Sequence, residues 1–154
     1  MLMLLLSAGS DCYAIGARDV AEVVMSVELT RLPGAPDGVA GLLQYHGRMV
    51  PVVDLCRLTL GRDCNRLLST RIVMTPYPSG SQSQGLLGLR AEHVTDDVRA
   101  EPADLTGAET GLTSPVFLRR VVRERTAMIP LLCLERILPE PLRLWLAPGH
   151  GKET

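Results

Sequence analysis

The residues able to do chemistry are few and scattered. Cysteines stand at Cys12, Cys56, Cys64 and Cys133, and histidines at His46, His93 and His150. No two cysteines form a Cys-x-x-Cys pair. Cys56 and Cys64 are the nearest two, and no second ligand pair follows at zinc-site spacing, so the pattern predicts no metal site. Nucleophilic catalysis needs a hydroxyl or thiol beside a base. Ser10-Asp11-Cys12 has no histidine near it in sequence, and the three histidines share no short ligand spacing. Gly85-Leu86-Leu87-Gly88 lacks the Lys-Ser or Lys-Thr of a phosphate-binding loop. The expectation is no catalytic residue, no cofactor and no enzyme activity.

Composition narrows the remaining classes. The 154 residues are 46% hydrophobic and 21% charged, the balance of a folded globular chain. Lys+Arg 16 against Asp+Glu 17 leaves a net charge of −1. Such a chain has no global field to grip nucleic acid or an anionic membrane. One Phe, one Trp and three Tyr offer few rings for base stacking, so no nucleic acid is expected as a partner. The apolar run at 1–6 has no basic flank and is far shorter than a membrane span. Neither a secretory signal nor direct membrane insertion is expected, and the thiols read as reduced and cytoplasmic.

The elements that must position any site read as short strands. Runs at 1–6 and 12–15 flank the turn Ala8-Gly9-Ser10-Asp11. A β-rich stretch covers 20–24, and Pro33-Gly34-Ala35-Pro36 is a loop. Asp37 is placed to cap a turn of helix over 37–40. The clearest hairpin joins 41–45 to 49–53 through His46-Gly47-Arg48, where Gly47 can take positive φ. Pro51 within the second arm predicts an edge strand or a bulge. Asp54 then caps a short helix that Gly61 stops. Further strands are expected at 71–75, 85–89, 91–94, 98–100, 116–122 and 128–132. Residues 77–84 read as a loop and 101–115 as a long irregular crossing. A short helix at 134–138 is stopped by Pro139 and Pro141, and 142–146 packs back on the body.

One internal repeat stands out. Met49-Val50-Pro51-Val52-Val53-Asp54-Leu55 is echoed by Met128-Ile129-Pro130-Leu131-Leu132-Cys133-Leu134. Each copy is an apolar strand with proline third, followed by a short helix start. Two copies of a small barrel-like unit account for the many short strands.

At these residues the chain resembles the chemotaxis coupling-protein family, the CheW-like domain. The likeness runs from Tyr13-Ala14-Ile15 through Val20-Ala21-Glu22-Val23, Leu32-Pro33 and Pro36 to Leu42. Its signature is the stretch from Gly41 to Leu55, and it continues at Gly88-Leu89, Glu92-His93-Val94 and from Met128 to Leu138. The resemblance implies an all-β fold of two intertwined five-stranded SH3-like β-barrels with short helices. Residues 1–154 would form one domain, its two barrel subdomains separated by a groove.

The implied function is a non-enzymatic adaptor in a motility or surface-sensing pathway. It would join the cytoplasmic tip of a methyl-accepting chemoreceptor to a histidine kinase regulatory domain, in the cytoplasm at membrane-associated receptor arrays. Expected partner contacts are Val20, Glu22, Gly41, His46 and Arg48. Gly47, Pro51, Asp54 and Pro130 are expected as scaffold. The family usually carries Arg just before the signature glycine, where it can pair with an acid matching Glu22. Here His46 stands there, a smaller group without the arginine fork, and Arg48 is the nearby substitute. The plainer alternatives are a solvated strand acid for Glu22 and a polar turn residue for His46. That departure motivates a second reading, a regulatory scaffold of the same fold that binds a histidine kinase without a classical receptor.

Overall fold

A computed structural model of the chain describes residues 2–77, 85–95, 97–99, 101–104, 120–124 and 127–146. Its first strand shows how period-2 alternation divides the core. In β1 (Leu2–Ala8), Leu4, Leu6 and Ala8 face the main core, whereas Met3 and Leu5 join Ala14 and Ile129 in a second cluster. Both faces are covered, so the strand is almost wholly apolar. It pairs antiparallel with β2 (Asp11–Gly16) through a turn at Gly9-Ser10.

A five-stranded sheet packs against this hairpin. It comprises β3 (Glu22–Met25), β4 (Val39–Tyr45), β5 (Arg48–Asp54), β6 (Arg71–Pro76) and β7 (Leu86–Ala91), in the order β3-β6-β7-β5-β4. Its neighbours are antiparallel except β5 and β7, which run parallel. Val53, Val73, Leu87 and Leu89 point to the main core. Leu43, Val50, Val52, Ile72 and Met74 form a third cluster on the opposite face. After β5 comes α1 (Leu55–Leu60), whose Leu55 and Cys56 are buried.

The remaining chain builds on β1 and β2. The short strands β8 (His93–Val94) and β9 (Val98–Arg99) both pair antiparallel with β1. A three-stranded antiparallel sheet is made of β10 (Glu101–Asp104), β11 (Arg120–Glu124) and β12 (Ala127–Pro130). The Leu132 amide donates to the Ala14 carbonyl at 2.8 Å and ties the segment after β12 to β2. Then α2 (Leu134–Ile137) and α3 (Glu140–Trp145) bury Leu134, Ile137 and Leu142 in the main core.

The expected pair of closed five-stranded SH3-like barrels is not found. Among the described residues the sheets are open: a five-stranded mixed sheet, a four-stranded sheet centred on β1 and a separate three-stranded one. The edges of the largest sheet, β3 and β4, meet through side chains, the Tyr45 hydroxyl donating to Glu22. One isolated bridge, Thr30 to Leu42, ties the segment after β3 to β4, and no ladder of backbone bonds joins the two edges.

Several local expectations also change. Pro51 is not on an edge strand, because β5 lies between β4 and β7. The ladder to β7 begins only at Val52, one residue past the proline, so Pro51 stays outside the doubly paired part. Residues 37–40 turn into β4 rather than into helix, and 101–104 form a strand. Pro141 does not stop a helix; it sits in the first turn of α3, where a missing N–H costs nothing. The expected loop at 78–84 and the strand portion at 116–119 lie outside the described residues.

The repeated segments take like places. Pro51 pairs with Leu42 in the second arm of the β4–β5 hairpin, and Pro130 with Val121 in the second arm of β11–β12. Each is followed, four residues on, by the start of a helix.

Candidate interaction site

Two polar arrangements hold the surface made by the open sheet edge and the loop after α1. The exposed one spans the gap between β3 and β4. Glu22 begins β3, and Tyr45 and His46 end β4 and enter its turn. The Tyr45 hydroxyl donates to Glu22 Oε1 at 2.6 Å, and His46 Nε2 stands 3.7 Å from the same oxygen. The Tyr45 and His46 rings meet edge to face at 4.2 Å. Donation to the Glu22 carboxylate pushes the Tyr45 phenol above its ordinary 10.0. The His46 and Glu22 side chains are 73% and 49% exposed, so water screens the pair. Tyr45 is absent from the residues expected to bind partners; its signal lay in its place beside His46, at the end of the hairpin arm.

His46 takes φ 47°, rare for a residue with a Cβ, and Gly47 follows at φ 79°. Two successive positive φ values suit a tight hairpin turn and fix the exit direction of the His46 side chain. Arg48 opens β5 on the exposed side of that turn, opposite Tyr45.

Gly41 is buried rather than exposed. A Cβ there would come within 2.7 Å of the Thr30 carbonyl oxygen and 2.9 Å of Leu29 Cβ, and its φ is +151°. Glycine is therefore required by the close approach of the 29–30 segment that bridges to β4. Val20 is half-buried and packs on the main core.

The second arrangement is internal. Asp54, 1% exposed, caps α1 by accepting from the Arg57 amide at 2.9 Å. It also accepts from the Cys64 amide at 3.0 and 3.1 Å and from Arg90 at 2.7 and 2.8 Å. Glu92, also buried, accepts from the Gly9 amide at 2.8 Å, the Asn65 amide at 2.6 Å and Arg62 Nη1 at 2.9 Å. Its Arg62 partner, helped by the two amides, holds the Glu92 carboxyl down at about 2. Together these carboxylates pin the 61–70 segment against the body.

Leu67 and Leu68 of that segment, with Val27 and Leu29, line an open groove whose wall also includes Arg66 and Arg90. Leu68 is 97% exposed, and Val27 and Leu67 are exposed too. The described residues hold one cluster of possible metal donors, Asp54, Cys56 and Cys64, with ligand atoms within 4.8 Å of one another. Both Asp54 oxygens are already occupied by Arg90 and backbone amides, so the arrangement suits hydrogen bonding rather than a cation. Among the described residues no helix is long and apolar enough to cross a membrane.

A family model for the CheW-like domain matches residues 2–141. Among solved structures, the chain is similar to the scaffolding protein TtCheW from Thermoanaerobacter tengcongensis. The two share 21% identity over 99% of this chain and 96% of that one, with a TM-score of 0.69, a likeness of fold. No curated protein matches.

Proposed function

Because this chain belongs to the CheW-like domain family, and so is a non-enzymatic coupling adaptor of two-component chemosensory signalling, we propose that it joins the cytoplasmic tip of a methyl-accepting chemoreceptor to a histidine kinase regulatory domain. The adaptor works in the cytoplasm, recruited to membrane-associated receptor arrays. Residues 1–154 act as one domain, with partner contact along the groove beside the open sheet. Glu22, His46 and Arg48 present the polar contacts, while Val20 and Gly41 set the shape of the strand edge behind them.

The observation that carries this reading is the exposed surface on and beside the open sheet edge. Met25 and Val27 lie exposed on and just past β3, the strand that Glu22 begins, and Leu67 and Leu68 lie exposed on the groove that Val27 also lines. Exposed apolar side chains rimmed by polar groups are the composition of a protein-docking surface. A surface of this kind needs no catalytic group, only partners whose own apolar residues it can cover.

The test is binding of the full chain to a receptor-tip fragment and, separately, to the kinase regulatory domain. Both should bind. Glu22→Lys, exposed and remote from the core, should weaken one of the two at least several-fold with an unchanged circular dichroism spectrum. Kinase binding without receptor binding would favour the scaffold that works without a classical receptor, and the smaller, forkless His46 in place of arginine is the observation behind that second reading.

A further inference from the structure

Two thiols take no part in the coupling surface. Cys56 lies in the first turn of α1 and Cys64 in the segment after it, and both are buried in the main core. Their sulfurs are 3.2 Å apart, the Cys64 thiol donating to the Cys56 sulfur. The Cys64 backbone is held in place by its own amide, which donates to both oxygens of Asp54.

A cation is the first alternative for such a cluster. It would have to displace the Arg90 guanidinium, which donates to Asp54 at 2.7 and 2.8 Å and is itself only 11% exposed. That exchange strands a buried positive charge beside the metal. With Asp54 taken, two sulfurs remain, and each is the other's nearest reactive partner.

We propose that Cys56 and Cys64 are a reversible dithiol–disulfide pair, oxidised by a peroxide to a bond that clasps the 61–70 segment to α1. Either sulfur can take the first oxygen, because the other stands 3.2 Å from it. One thiolate attacks hydrogen peroxide and the O–O bond breaks. One oxygen stays on sulfur as a sulfenic acid, and the other leaves with a proton as water. The other thiolate then attacks that sulfur. The S–S bond forms, the S–O bond breaks, and the hydroxide leaves with a proton as a second water. Two thiols and one hydrogen peroxide become one disulfide and two waters.

Burial raises both thiols above their ordinary value, so the protonated dithiol is the resting form and oxidation quickens as pH rises. The segment that the bond would clasp carries Leu67 and Leu68 to the groove, so the oxidised form fixes that wall.

The test uses the full chain, treated with hydrogen peroxide, alkylated to block remaining thiols, then digested with trypsin. Trypsin cuts after Arg57 and Arg62, between the two cysteines, so their peptides stay joined only through the new bond. The expected result is a joined peptide pair that separates on reduction with dithiothreitol and, in a sample weighed before alkylation, an intact mass lowered by two hydrogens. In Cys56→Ser the joined pair should vanish, whereas Cys12→Ser and Cys133→Ser should keep it. Recovery of Cys56 and Cys64 as alkylated thiols, under peroxide that fully oxidises glutathione in the same tube, would overturn the proposal. So would stoichiometric zinc retained through dialysis with both thiols shielded from alkylation.

Discussion

Glu92 shows how a single buried side chain can report the state of a surface. Its carboxylate gathers Gly9 from the first turn, Asn65 from the segment after α1, and Arg62. Its folded value of about 2 lies below the ordinary 4.5. The stability it contributes is therefore complete above about 4.5 and is lost as pH falls from there through about 2. Denaturant unfolding at a series of pH values should show this acid limb in the wild type and a flatter one in Glu92→Gln. At neutral pH that substitution should cost about 1–3 kcal/mol, because two amides lose a charged acceptor in a buried place.

The Glu22 cluster behaves differently, being exposed. Glu22→Gln should bring the Tyr45 phenol back toward its ordinary value, as read by an ultraviolet absorbance titration. His46→Arg should alter stability by no more than about 1 kcal/mol, with an effect that fades in salt. Proximity of His46 to Glu22 was legible through the family signature. Tyr45 as the nearer partner was not, because which hairpin-end side chain turns toward β3 depends on the curl of the sheet.

Among the elements, α1 is the one most plainly written in sequence. Asp54 before it and Gly61 after it carry the cap chemistry, and Gly61 takes the left-handed φ of 75° that such a stop requires. Nothing local foretold that Asp54 also meets Arg90, 36 residues on, across the parallel β5–β7 contact. Asp54→Ala should therefore cost more than the ~1 kcal/mol of an ordinary cap, roughly 3–5 kcal/mol, because it leaves the Arg90 guanidinium buried and unpaired. Asp54→Asn keeps a cap acceptor and should fall between.

Gly41 belongs to this scale as well. A Cβ on it would come within 2.7 Å of the Thr30 carbonyl oxygen. Gly41→Ala should destabilise by about 1–3 kcal/mol in thermal or denaturant unfolding, through forced separation of the 29–30 segment from β4. Pro51 illustrates the limit of strand rules. A proline in an apolar run signals an edge or a bulge; this strand is interior, its ladder to β4 shifts register between Val39 and Gly41, and its ladder to β7 starts only past the proline.

At the scale of the whole molecule, apolar runs between turn residues predicted many short strands, and the repeat around Pro51 and Pro130 two barrel-like units; the two hairpins are alike, each followed by a helix start. Closure into barrels did not follow. Whether edge strands join depends on long-range pairing, and here a single bridge at Thr30–Leu42 stands where a ladder would be needed. The open edge has a consequence for function. It leaves the strand that carries Glu22 and the hairpin that carries His46 and Arg48 on one accessible surface, flanked by exposed Met25 and Val27. An adaptor must hold two partners at once, so its two contact regions must not compete. The central claim is tested most directly by analytical ultracentrifugation of the full chain mixed with both a receptor-tip fragment and a histidine kinase regulatory domain. The account predicts one sedimenting species containing all three components, reduced by Glu22→Lys. A chain that sediments alone in the presence of both, or that releases the kinase domain when the receptor fragment is added, would contradict it.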